Sequence, residues 1–124
     1  MPKLLHTRIR VSNLDRSIAW YERLGFHCVR RAPRSPAGNQ LAFLEIEGNE
    51  HFLELCYSPD YALKVPEDLM HIAIGYPNLI RKCDELEKQG LVIWPDGWRT
   101  KFAASDKMGF VTDPDGYEVE LLEV

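Results

Sequence analysis

The chain is expected to fold as an α+β protein built from two tandem βαβββ modules. Three observations point there: a repeat, a strand alternation and a turn. Subtracting 65 from His71, Tyr76 and Asn78 gives His6, Val11 and Asn13. The same step carries Leu79, Cys83, Leu86 and Gly90 onto Leu14, Ile18, Tyr21 and Gly25. Both sets follow i, i+4, i+7, one apolar helix face, with a glycine after the last turn. With a drift of one or two residues Phe43 answers to Phe110 and Glu54 to Glu120. Two copies are too few for a solenoid, so the halves read as a duplicated module. Lys3 to Val11 alternates with the period of a strand, and Asp113-Pro114-Asp115-Gly116 is a hairpin turn by composition.

The 124 residues suit one domain, with the first module at about 3–58 and the second at about 69–124. A formal charge of −4 argues against a nucleic-acid partner, which would want a basic stripe. Cys28, Cys56 and Cys83 form no C-x-x-C pair, so neither a disulfide framework nor a thiolate zinc site is indicated. No segment approaches membrane-spanning length and no cleavage-like leader is visible. A cytoplasmic setting is the expectation.

In order along the chain, Leu5, Thr7, Ile9 and Val11 face one way, and His6, Arg8 and Arg10 the other. Ser12 or Asn13 caps a helix that Gly25 ends. Phe26–Arg31 is a strand, and Ala32–Gln40 a loop holding Pro33, Pro36, Gly38 and Asn39. Arg30, Arg31 and Arg34 make this the most basic stretch, either a solvated loop or an anion clamp. Leu41–Ile46 and His51–Tyr57 are strands joined by Glu47-Gly48-Asn49-Glu50. Glu54 sits among apolar neighbours there; it needs a partner or a metal unless the strand is an edge open to water. Ser58–Leu69 links the halves. The second half repeats the plan: a strand through His71–Tyr76, and a helix opened by Pro77 and Asn78 and closed by Gly90. A strand at Leu91–Trp94, a loop at Pro95–Lys107, and a final hairpin of Met108–Thr112 and Tyr117–Glu123 follow.

His6 and His71 then stand on the first strand of each half, Glu54 and Glu120 on the last, each opposite its strand's apolar set. A lone strand histidine is commonly a hydrogen-bonded structural residue. The duplication changes that reading, because two imidazoles and two carboxylates converge if the halves pair about a pseudo-twofold axis. Such a set suits a borderline divalent ion, Zn²⁺, Ni²⁺ or Co²⁺. His51 falls on the face opposite Glu54, and His27 has no counterpart, since Val92 stands at its place.

Leu5-His6-Thr7 with Arg10-Val11, Leu53-Glu54-Leu55, His71-Ile72-Ala73-Ile74, and Phe110 through Tyr117 followed by Val119-Glu120-Leu121 resemble glyoxalase I. That is the lactoylglutathione lyase family of the vicinal oxygen chelate superfamily (glyoxalase/bleomycin resistance/dioxygenase), and the resemblance spans nearly the whole chain. It implies a metal-dependent lyase that isomerises the hemithioacetal of methylglyoxal and glutathione, or a related thiol, to S-lactoylglutathione through an enediolate. His6, Glu54, His71 and Glu120 match the metal ligands, one divalent ion per site. The short chain is more similar to the nickel- or cobalt-activated branch than to the zinc-activated one. The resemblance makes Glu120, or its mate Glu54, the proton-transferring base. It also implies a homodimer in which each site takes His6 and Glu54 from one chain and His71 and Glu120 from the other. Arg10 matches an arginine that contacts the γ-glutamyl carboxylate. Ser58 stands where the family tends to have asparagine, and the lysine-glycine-glycine loop is absent, which makes Lys101 or Arg99 candidates for the missing lysine. Two other readings stand beside this one: an enzyme of the same fold on another substrate, including an Fe(II) dioxygenase, and a drug-binding resistance protein with an aromatic ligand near Trp94, Trp98 and Phe102.

Overall fold

Asn13 and Asn78 start two helices in the same way. Each side-chain oxygen accepts the backbone N–H three residues on, from Arg16 at 3.0 Å and from Arg81 at 3.1 Å, satisfying a donor that has no partner within the helix. The helices are α1 (Leu14–Glu22) and α2 (Leu79–Lys88). Gly25 and Gly90 follow them at φ of 109° and 92°, the left-handed region that ends a helix and favours glycine. The repeated apolar set is the buried face: Leu14, Ile18 and Tyr21 in α1, Leu79, Cys83 and Leu86 in α2.

The computed structural model describes residues 1–35, 38–104 and 107–124. The chain divides into two units, Met1–Lys64 and Val65–Val124, with the division inside the expected linker. In the first unit β1 (His6–Arg10), β2 (His27–Ala32), β3 (Gln40–Glu45) and β4 (Phe52–Tyr57) form one sheet in the order β1-β4-β3-β2. β1 runs parallel to β4, and the other pairs are antiparallel. β4 is therefore a central strand, which removes the reading of Glu54 as an edge residue in water. Ile9, Val11, Leu44, Leu53 and Leu55 are buried with the apolar face of α1.

The second unit holds β5 (His71–Tyr76), β6 (Met108–Thr112) and β7 (Glu118–Glu123) in the order β5-β7-β6, again with a parallel outer pair. Its turn is held by Asp113, buried, whose Oδ1 accepts the N–H groups of Asp115 and Tyr117, both at 2.9 Å. Ile74, Val111, Val119 and Leu121 fill the space beneath the apolar face of α2.

Two expectations change in this unit. Leu91–Trp94 is not a strand: only Trp94 pairs, exchanging both backbone hydrogen bonds with Phe110 at 2.9 Å. Pro95 follows and has no N–H with which to continue the ladder. The expected loop at Pro95–Lys107 contains a helix, α3 (Trp98–Ala104). Trp98 and Phe102, four apart and both buried, are its one apolar face. Trp98 Nε1 donates to Glu87 Oε2 of α2 at 2.9 Å. Positions 105 and 106 of this segment, and Pro36 and position 37 of the expected Ala32–Gln40 loop, lie outside the described residues.

Candidate metal and active site

Residues opposite one another in a ladder share a sheet face, so strand register assembles the site row by row. In the first sheet Arg8 pairs with Glu54, Glu54 with Phe43, and Phe43 with Arg30. The result is one row across four strands: guanidinium, carboxylate, ring, guanidinium. In the second sheet Ala73 pairs with Glu120, Glu120 with Phe110, and Phe110 with Trp94. The carboxylate and the ring are repeated. The guanidiniums are not.

Each histidine lies two residues before the start of its row, on the same face. His6 Nε2 is 3.1 Å from Glu54 Oε2, and His71 Nε2 is 3.4 Å from Glu120 Oε1. Each imidazole meets its phenylalanine edge-on, His6 to Phe43 at 6.1 Å and His71 to Phe110 at 5.5 Å between centroids. The ring walls off one side of each imidazole and leaves Nε2 toward the carboxylate. Two donors each about 2.1 Å from a common ion stand about 3.0 Å apart at a right angle and about 3.4 Å at the tetrahedral angle. Both pairs have that spacing. Among the described residues no group of three or more His, Cys, Asp or Glu side chains is gathered, so each unit presents a two-donor half.

The halves differ in their surroundings. Glu54 is 2 % exposed, and Arg8 Nε donates to its Oε1 at 2.5 Å, so both carboxylate oxygens are engaged. Glu120 is half-buried, with Ala73 where Arg8 would be. The sequence reading missed Arg8, although its alternation with His6 put it on this face. Arg30, read there as part of a solvated loop or an anion clamp, instead lies in β2 with its guanidinium 4.1 Å above the Phe43 ring. With Arg31 bound to Asp15 at 2.7 Å, both Arg30 and Arg31 of the basic stretch have partners within the chain.

Two of the expected substrate-binding residues meet. Arg10 Nη1 donates to Ser58 Oγ at 3.1 Å, and its guanidinium lies 4.1 Å over Tyr61. Lys101 is exposed on α3 in the other unit. Arg99 binds Asp84 and, at 2.9 Å, Glu87, while stacking on Trp98 at 4.3 Å. It is committed to fastening α3 onto α2. His51 is structural, 2.9 Å from Thr7 Oγ1 and 3.3 Å from the Leu4 carbonyl, and His27 is exposed. Beside Phe110 a cleft of about 360 Å³ is lined by Glu67, Trp94, Thr112 and Glu118.

Residues 3–121 match the model of the Glyoxalase/Bleomycin resistance protein/Dioxygenase superfamily. The lactoylglutathione lyase of Haemophilus influenzae is 32% identical over 125 residues, 98% of this chain and 92% of that protein. That of Salmonella typhimurium is 33% identical with the same coverage. The structure of the trypanothione-dependent glyoxalase I of Leishmania major superposes with a TM-score of 0.79 at 35% identity, over 99% of this chain and 87% of that one. TnmS3, an antibiotic-binding protein from Streptomyces, superposes at 0.72 over 99% and 96% but is 16% identical, a likeness of fold alone. The chain belongs to the glyoxalase/bleomycin resistance protein/dioxygenase superfamily and, within it, is a lactoylglutathione lyase-like enzyme.

Proposed function

We propose that the chain isomerises the hemithioacetal of methylglyoxal and a thiol, glutathione or a relative of it, to the S-lactoyl thioester. The observation that carries this reading is the twice-repeated imidazole–carboxylate pair at the spacing of adjacent ligands. His6, Glu54, His71 and Glu120 would together hold one divalent ion. Two nitrogen and two oxygen donors with no thiolate suit Ni²⁺, Co²⁺ or Zn²⁺, and the resemblance of so short a chain to the nickel- or cobalt-activated branch favours the first two. When bound, such an ion supplies Lewis acidity to the substrate's vicinal oxygens. In a homodimer, His6 and Glu54 of one chain and His71 and Glu120 of the other complete each site.

The protein's part in the reaction is positioning and proton transfer. Glu120 takes the proton from the carbon bearing sulfur and returns it to the neighbouring carbonyl carbon. The hydroxyl proton of the first carbon passes to the second oxygen, so atoms and electrons balance with no other reactant. The phenylalanine against each imidazole limits the ring's rotation, and Arg10 with Ser58 offers donors to a carboxylate of the thiol carrier. The test is an isomerisation assay with methylglyoxal and glutathione or other thiols, on protein reconstituted with Ni²⁺, Co²⁺ or Zn²⁺ at measured metal content. Thioester formation that depends on metal supports the reading. None with any thiol, at one ion per chain, overturns it.

A further inference from the structure

The repeat supplies its own comparison. Where both units keep a residue on the site face (His6 and His71, Glu54 and Glu120, Phe43 and Phe110), the shared task of the two halves accounts for it. Where they differ, the difference belongs to one half. At the positions flanking the carboxylate and ring the first unit has Arg8 and Arg30, and the second has Ala73 and Trp94. Arg30 lies on Phe43. Arg8 touches the carboxylate itself, and its Nη groups have no other partner among the described residues.

We propose that Arg8 is a positioning residue that confines Glu54 to one-oxygen ligation and so makes the two carboxylates of the site unequal. The inference rests on the reading of His6, Glu54, His71 and Glu120 as ligands. With Oε1 held by Arg8 Nε, only Oε2, the oxygen beside His6 Nε2, is offered to an ion. Rotation of the carboxylate to present both oxygens would break a charge-assisted hydrogen bond at a nearly buried position, where an unpartnered guanidinium–carboxylate face is costly. Glu120 has no such tether among the described residues: its ladder partner Ala73 carries no side-chain donor. It is the carboxylate whose oxygens are free to exchange between ion and substrate. Duplicated ligands thereby take different duties, Glu54 as a fixed ligand and Glu120 as the mobile one.

The test uses full-length protein loaded with Co²⁺, whose visible d–d bands report coordination number without turnover. Arg8→Met is expected to release the second oxygen of Glu54, raise the coordination number and weaken these bands, while Arg8→Lys, which still reaches one oxygen, keeps the wild-type spectrum. Ala73→Arg, at an exposed position, makes the reciprocal change in the second unit and serves if Arg8→Met fails to fold. It is expected to slow turnover by about 10²-fold or more, as restraining a general base should. In the Glu120→Gln background, Arg8→Met should recover at least about tenfold in turnover, because Glu54 then gains the freedom that Glu120 had. Superimposable spectra for wild type and Arg8→Met, with Ala73→Arg fully active, would overturn the inference and leave the ligand reading intact. Wild-type protein that takes up no stoichiometric Co²⁺ would overturn the ligand reading, and this inference with it.

Discussion

Glu120 and Glu54 are equivalent by repeat and unequal by environment, and substitution should show it. Glu120→Gln keeps an oxygen and the side-chain size but removes basicity. It should retain metal, measured by elemental analysis, and lose about 10²- to 10⁴-fold in turnover. A rate equal to wild type at equal metal content would move the base elsewhere. The cysteines give a second check at this scale. Cys83, on the buried face of α2, has its thiol pushed up to about 11 by burial, helped by the nearby Asp84 and Glu87 carboxylates. Cys56 is fully buried, and Cys28 is partly open. A thiol reagent at pH 7.5 should therefore modify Cys28 alone in the native protein and all three cysteines after unfolding. Rapid native labelling of Cys83 would contradict its place in the core.

Among the elements, the helices divide into two kinds. α1 and α2 bury the repeated apolar set, so Leu86→Ala should cost about 2–5 kcal/mol in denaturant unfolding, as a fully buried leucine does. α3 is short and depends on Glu87 and Arg99. The Trp98 N–H bond, reinforced by Arg99, holds the Glu87 carboxyl below its ordinary range. A depressed carboxylate pKa contributes stability that is present above the unfolded value of about 4.3 and is lost as pH falls through the folded value. Glu87→Gln should thus lower the melting temperature at pH 7, and the difference from wild type should shrink as pH falls below about 4.3. A gap that stays constant as pH falls through the carboxylate range would assign the effect to packing. The helix was hidden in the sequence because seven residues with one apolar pair carry little periodicity. Gly97 and the polar residues beside it resemble a loop until Trp98 and Phe102 find α2.

At the scale of the whole molecule, the proposed site combines two halves of two donors each, within one chain or between two. If each site joins the first unit of one chain to the second unit of another, His6→Ala and His71→Ala should each be inactive alone. After mixing and subunit exchange they should recover about a quarter of wild-type activity, because half the dimers then carry one intact site of two. No recovery, with exchange verified by mass, would place all four donors in a single chain. Light scattering should report a dimer at micromolar concentration.

The amino-acid order alone carried the duplication, the two capped helices with their buried faces, the final hairpin and the four candidate donors. All of these rest on local periodicity: 3.6 for a helix, two for a strand, and a fixed step of about 65 between copies. Strand order and register lay beyond it, since nothing local says that β4 comes to lie between β1 and β3. That placement buries Glu54 and sets Arg8 against it, and the matching place of β7 between β5 and β6 leaves Ala73 beside Glu120. The partners of a buried charge are chosen by residues more than forty positions away in the chain, and such pairings exist only once the sheets have formed.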